Sequence, residues 1–478
     1  MKSKLLLLIS LFFINSQIIA QNTNTGTEAG NTGTNNSAFG YYAGNVVTGN
    51  NNSFFGYVAG TLTTTGEYNS FFGALTGVYN TSGKDNVFMG YQSGYTNTTG
   101  EKNVFVGRES GFKNNTGLHN TFLGYESGHE NTLGSANVFS GKQSGFSNTT
   151  GGGNVFSGYE AGYSNTTGYW NVFIGYDSGL TNISGSENVF IGNTSGKRNT
   201  IGGFNVFIGS GTAPNNTSGH HNVFTGADAG QWNTTGSFNI FTGHAAGTYN
   251  ASGHHNIFTG REAGQYNTTG EHNIFIGDES GNRSNGNGNT FTGRQAGYQN
   301  TTGNYNLAMG YKAGYLNTTG SYNIFLGHQA GTNETGSNRL YIDNSPTTTP
   351  LIYGKFDTDQ LGINTNIIPV GYTMAVKGKF ITEEIKVQQY GTAGWPDFVF
   401  DKKYNLPTLK EVENYIDKNG HLQNIPSACE VEENGILLGE MNAKLLQKIE
   451  ELTLYIIQQD ARFNDQEARL KKLESGSK

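Results

Sequence analysis

The chain has 478 residues and one cysteine, Cys429. That count excludes a disulfide framework, and cysteine-based zinc sites with it. Proline is scarce, at 7 residues. Charged residues make up 14%, and 29 Lys and Arg against 36 Asp and Glu leave a net charge of −7. Such a balance offers no basic footprint for nucleic acid. Beyond the first twenty residues no run is long and apolar enough to cross a bilayer. What the chain does have is 71 Gly, 30 Phe and 26 Tyr. Glycine without a three-residue period rules out collagen, and so many aromatics argue against disorder. The combination points to a repeat.

Lys2 and Lys4 precede an apolar run from Leu5 to Ile14, and a short stretch then ends at Ala20. The pattern predicts a secretory signal peptide over residues 1–20, cleaved near Ala20, and hence an exported protein at the cell surface or beyond it. Composition changes again near Asn338. Residues 1–337 hold 13 basic and 16 acidic side chains, or 9% charged, whereas residues 338–478 hold 16 and 20, or 26%. Gly falls from 61 to 10 across the same point, and six of the seven Pro follow it. Two physically different regions meet there.

The first region is periodic. Asn-x-x-x-Gly, usually Asn-(Val/Ile)-Phe-x-Gly, recurs 18 times between Asn36 and Asn323, and 15 of the 17 intervals are 17 residues. Seven residues after each Asn stands Ala, Ser or Thr; eight after stands Gly in every copy but one, which has Ala213. Each copy offers one short run of β-branched and aromatic residues, such as Val172-Phe173-Ile174, and a polar segment such as Asn97-Thr98-Thr99-Gly100. Seventeen residues are too few for a helical hairpin and suit one coil of a β-solenoid. The expected fold class is thus an all-β solenoid or parallel β-roll of 18 coils over residues 21–337, a rod of roughly 85 Å. Asparagines at one place in successive coils are expected to form hydrogen-bonded ladders.

Strand side chains alternate, so Phe173 faces away from Val172 and Ile174. Phe holds that middle site in 16 of 18 copies, Ala38 and Ala308 being the exceptions. With both faces apolar, one fills the coil and the other needs cover, which suggests burial against copies of the same chain. The alternative is a monomeric solenoid with Phe inside and the smaller residues partly exposed. Asn171-Val172-Phe173-Ile174-Gly175 resembles the head repeat of trimeric autotransporter adhesins, a left-handed parallel β-roll in which three chains pack together; here the unit is longer and carries Phe at a small-residue site. The resemblance implies a homotrimeric adhesive rod.

The second region begins with short strands at Leu340–Ile342, Leu351–Tyr353 and Met374–Val376, a β connector spanning residues 338–390. A small helical or α/β region over 391–435 follows, with capping boxes at Thr408-Leu409-Lys410-Glu411 and Ser427-Ala428-Cys429-Glu430. Residues 436–478 form heptads. Leu438, Leu445, Leu452, Gln459, Gln466 and Leu473 fall at d; Asn442, Ile449, Ile456, Phe463 and Leu470 fall at a. A coiled-coil stem is expected, with Leu438, Leu445, Ile449, Leu452, Ile456, Phe463, Leu470 and Leu473 as the oligomerisation set, or else an amphipathic helix folded back on its own chain. The stretch from Trp395-Pro396-Asp397 to Leu454-Tyr455 is similar to the C-terminal region of secreted bacterial tail-fibre-domain proteins. That likeness implies trimerisation. The self-cleavage seen in some phage relatives is not implied, since their Ser-Asp and Arg-Leu-Lys pattern is missing.

No catalytic, cofactor or metal site is expected. The pairs His220-His221 and His254-His255 lie two coils apart, too far to share an ion within one chain. Carboxylates are sparse and suggest no strong column, which counts against a tail-spike-like polysaccharide-degrading enzyme. Tyrosines recur five residues after the motif Asn (Tyr91, Tyr125, Tyr159, Tyr176, Tyr311) and aromatics nine or ten after it (Tyr95, Tyr163, Trp232, Tyr266, Tyr298, Tyr315). Such rows either stack on sugars or cover coil edges. The expected function is a non-catalytic structural and adhesive surface fibre, with carbohydrate binding through those rows as the alternative. The expected partner is a copy of the chain, with surface glycans or an envelope protein beyond it.

Overall fold

A computed structural model describes residues 23–26, 29, 32–388 and 395–476. The expected signal peptide and its cleavage site lie outside them. The chain divides into two compact units, ending at Lys379 and beginning at Phe380.

The first unit is a β-solenoid. Its three-residue strands run from β1 (Thr23–Thr25) and β2 (Ser37–Phe39) through β10 (Val172–Ile174) and β11 (Val189–Ile191) to β19 (Ile324–Leu326) and β20 (Arg339–Ile342). Neighbours pair in parallel and in register, with Val172 opposite Val189, Phe173 opposite Phe190 and Ile174 opposite Ile191. The expected 18 coils undercount the stack. Strands β1 and β20 extend it before the first motif copy and after the last, making 20 stacked parallel strands in a solenoid of about 21 turns. The motif misses them because Asn24 stands at the Phe site of β1, although Gly26 keeps the corner, and β20 has Tyr341 and Asp343 in place of Phe and Gly. Beyond β20 the sheet turns antiparallel through β21 (Ile352–Lys355) and β22 (Gln360–Ile363), then parallel to β23 (Met374–Val376).

Phe fills the interior. From Phe54 to Phe275 the middle residue of every strand is fully buried, and rings in successive coils stack at 4.4–5.3 Å. The outward strand positions therefore carry Val, Ile, Leu, Met and three Phe (Phe39, Phe55 and Phe72), interrupted by Ser and Thr, half-buried to exposed. Glycine eight residues after the motif Asn faces the ring: a Cβ on Gly162 (φ +61°) would lie 2.5 Å from Phe156. Glycine four after turns the corner at φ near +135°, where a Cβ on Gly158 would meet the Gly175 carbonyl at 2.3 Å.

Two asparagine ladders complete the core. Asn171 Oδ1 accepts from the Asn188 amide at 3.0 Å and from its Nδ2 at 3.1 Å. Asn188 Nδ2 also donates to the Gly202 carbonyl at 2.9 Å. Eleven residues after the motif, Asn182 donates to Asn165 Oδ1 at 2.8 Å and to the Gly185 carbonyl at 2.9 Å. Ser178 Oγ donates to the Phe190 carbonyl at 3.0 Å. Most polar groups inside a coil are thus satisfied by a neighbouring coil or their own corner, Thr63 Oγ1 and Asn300 Oδ1 being exceptions. At the far end Tyr341 and Tyr353 close the Phe column. Burial first, and then a 2.7 Å hydrogen bond from its hydroxyl to Glu334, push the Tyr341 phenol far up.

The second unit is helical. A 3-10 helix, Pro396–Phe400, precedes α1 (Leu409–Asn419), α2 (Ala428–Asn434) and α3 (Leu438–Ser475). Both expected capping boxes are formed, and Gly420 at φ +74° stops α1.

Candidate functional surfaces

Columns are set by the coil. The repeated residues (Asn, Phe, Gly, Ala or Ser, the second Asn) are spent on the interior, and the residues that vary from copy to copy face solvent. Two columns are held in the left-handed region without glycine in most coils: the residue before the motif Asn, such as Trp170 (φ 56°), and the one six after it, such as Asp177 (φ 53°).

Five after the motif, aromatic and cationic side chains interleave. The Arg108 guanidinium lies 5.8 Å from the Tyr91 ring and 5.7 Å from the Tyr125 ring. Lys142 lies 5.1 Å from Tyr159, whose other neighbour is Tyr176, stacked at 4.9 Å. Tyr311 stacks on His328 at 5.2 Å. Hydrogen bonds to Glu126 and Glu160 push the Tyr125 and Tyr159 phenols up. Nine after the motif, Tyr95, Phe112, His129, Phe146 and Tyr163 form one half-buried stack at 4.9–5.1 Å, and Tyr298 stacks on Tyr315 at 5.2 Å. Ten after, Tyr249 and Tyr266 stack at 5.1 Å, and the Trp232 ring is exposed. The structure thus assembles the expected rows, but most of their rings turn faces to each other and edges to solvent.

Carboxylates recur at one position of the coil in seven of the 18 copies, never in more than two successive coils. Glu109, Glu126, Glu160, Asp177, Asp228, Glu262 and Glu279 all stand six after the motif. The intervening coils carry Gln143, Thr194, Gly211 and Ala245 there, so the acidic positions do not run on from coil to coil. Several are tied down: Asp177 to Lys197 at 2.8 Å, Glu262 and Glu279 to Arg261 at 2.7 Å each, and Glu126 to Gln143 at 2.8 Å. Arg261 and Gln295 hold the Glu279 carboxyl below the usual range, Gln295 most strongly.

No family model, curated protein or solved structure matches this chain. Among the described residues no three His, Cys, Asp or Glu side chains are grouped to hold a metal ion, and no helix is long and apolar enough to cross a membrane. The two histidine pairs are separated by a coil carrying Ser237 and Phe238.

On α3 the heptad positions Leu438, Leu445, Ile449, Leu452, Ile456, Phe463, Leu470 and Leu473 are all exposed. The helix does fold against its own chain, but through a different face: Ala443, Glu450 and Glu451 are buried on the side of the 3-10 helix. Tyr404 donates to Glu451 Oε1 at 2.6 Å, and Lys448 pairs with Oε2 at 2.9 Å. Burial opposes the Glu451 charge; these partners outweigh it and hold the carboxyl low. Glu450 differs: its Oε2 is buried without a partner, and burial, then Asp397, raise its carboxyl. Part of the exposed seam itself, Leu445, Ile449 and Leu452, lines an apolar groove of about 440 Å³ with Leu409, Val412 and Tyr415 of α1.

Proposed function

We propose that the chain is an exported, non-catalytic fibre subunit whose solenoid adheres to surfaces or other cells, and that three copies associate through a coiled coil of α3. The observation that carries the reading is the division of labour within each coil. Repeated residues build an interior that any number of coils can extend, and varied residues are displayed outside in straight columns. A scaffold of that kind presents area rather than a pocket. Self-association is supported by the bare a and d seam of α3 and by the apolar residues on the outer face of the strands. Both match the resemblance to adhesin heads and tail-fibre C-terminal regions.

Light scattering of residues 21–478 is expected to give three chain masses, and the coated protein to hold cells. A monomer mass at micromolar concentration sinks the trimer, and a multimer that holds no surface sinks the adhesive reading. Carbohydrate binding is the second reading, favoured by the exposed rings of Trp232 and Tyr266. A glycan array on which Trp232→Ala erases a signal would establish it. A depolymerase reading draws less support, since the recurring carboxylates are largely spent on ion pairs and hydrogen bonds.

A further inference from the structure

Half of the histidines stand together. In the column just before the motif Asn, Phe204, His221, Phe238, His255 and His272 form an unbroken ladder of exposed rings, with centroids 4.7, 5.0, 5.0 and 4.9 Å apart and planes within 17°. One column over, His220 Nδ1 lies 3.0 Å from His221 Nδ1, and His254 Nδ1 accepts from the Ser237 amide at 3.1 Å. Five of the ten histidines therefore occupy four successive coils on one edge. The adjoining turn carries the hydroxyls of Ser218, Thr235 and Ser252. Charged neighbours are few. Glu271 follows His254 in its column, and Glu187 precedes Phe204 in the ring column; Asp228, Arg261 and Glu262 belong to the columns five and six after the motif.

The strip itself holds no Lys or Arg, and Glu187 and Glu271 stand at its ends. Histidine is the side chain whose ordinary range lies nearest neutral, so acid adds positive charge here at His221, His255 and His272, in the first, third and fourth of four successive coils with Phe238 between. Like charges so close oppose one another's protonation, and a chain of anions laid alongside removes that opposition. The ladder leaves ring edges, with their N–H donors, rather than ring faces. Single-stranded nucleic acid draws much of its affinity from free aromatic faces, so it gains little here. A sugar polymer that carries carboxylates needs only donors and charge along a line. We propose that this histidine strip is an acid-gated binding site for a carboxylate-bearing polysaccharide. Burial first, and then His221 and His254, hold the His220 imidazole low.

The proposal rests on the adhesive reading and names its ligand chemistry. Immobilised polygalacturonate is the probe, with neutral dextran as control and the full chain in solution. Binding at about pH 5 is expected to be at least about tenfold tighter than at about pH 7.5, either side of the histidine range, and to fall with salt. The triple variant His221→Asn, His255→Asn, His272→Asn should lose the acid gain; asparagine tolerates the positive φ of these sites. The matching Lys triple should bind at both pH values, which keeps the test decisive if the Asn variant misfolds. Equal binding by the wild type at both pH values overturns the proposal. So does an acid gain shared by dextran, or one kept by a folded Asn triple. Attachment of cells to the coated fibre at pH 7.5 tests the adhesive reading separately.

Discussion

Phe173 touches a ring above and a ring below, each 4.8 Å away, and a glycine across the coil. Truncating it opens a cavity that neighbours in register cannot collapse into. Phe173→Ala should cost about 3–5 kcal/mol, read from denaturant unfolding. Ala308 marks a place where the chain itself makes that exchange. There Phe325 sits against both Gly314 and Gly331, so one ring covers two coils. Asn182→Ala removes donors from Asn165 and the Gly185 carbonyl, and should cost about 1–3 kcal/mol for each group left unsatisfied. Val58 makes the opposite case: a β-branched residue at φ 62° is strained, and Val58→Gly should raise the melting temperature. The glycines and asparagines were legible in the sequence as fixed corners and ladders. The left-handed columns were not, because most of their residues carry side chains that normally avoid that region.

At the scale of elements, α3 shows two faces with different fates. The heptads were legible and the helix is there, but its own chain covers the side away from the seam. Ile449→Asp should leave the fold of the helical unit intact by circular dichroism while lowering the assembly mass. Glu450 supplies a pH test. Its carboxyl is raised in the folded state, so folding is favoured by protonation, and stability is lost as pH rises through the folded value. Glu450→Gln should therefore melt higher than wild type at pH 7, with the gap closing in acid. A variant that melts lower at pH 7 would show that the buried oxygen has a partner. Spacing alone showed which residues align on the seam; it held no trace of a buried glutamate with an unpartnered Oε2, which depends on the 3-10 helix packing against α3.

For the whole molecule, the repeat unit is the currency of stability, since each coil contacts mainly its two neighbours. Deleting residues 154–170, one full coil from motif Asn to motif Asn, preserves every ladder. The shortened protein should fold with a little-changed melting temperature. Deleting residues 154–161 shifts Phe, Gly and Asn off their columns and should abolish folding of the rod. The 17-residue interval, its strands and corners, the two caps and the heptads were all set by local pattern and composition, because each depends on neighbours within one coil or one helix. Which face Phe takes, which rings stack, where carboxylates meet arginines and which histidines stand together were decided only by the tertiary structure. Alternation says that two faces differ without saying which is inside, and a column exists only once coils stack in register and bring residues 17 apart within 5 Å of one another.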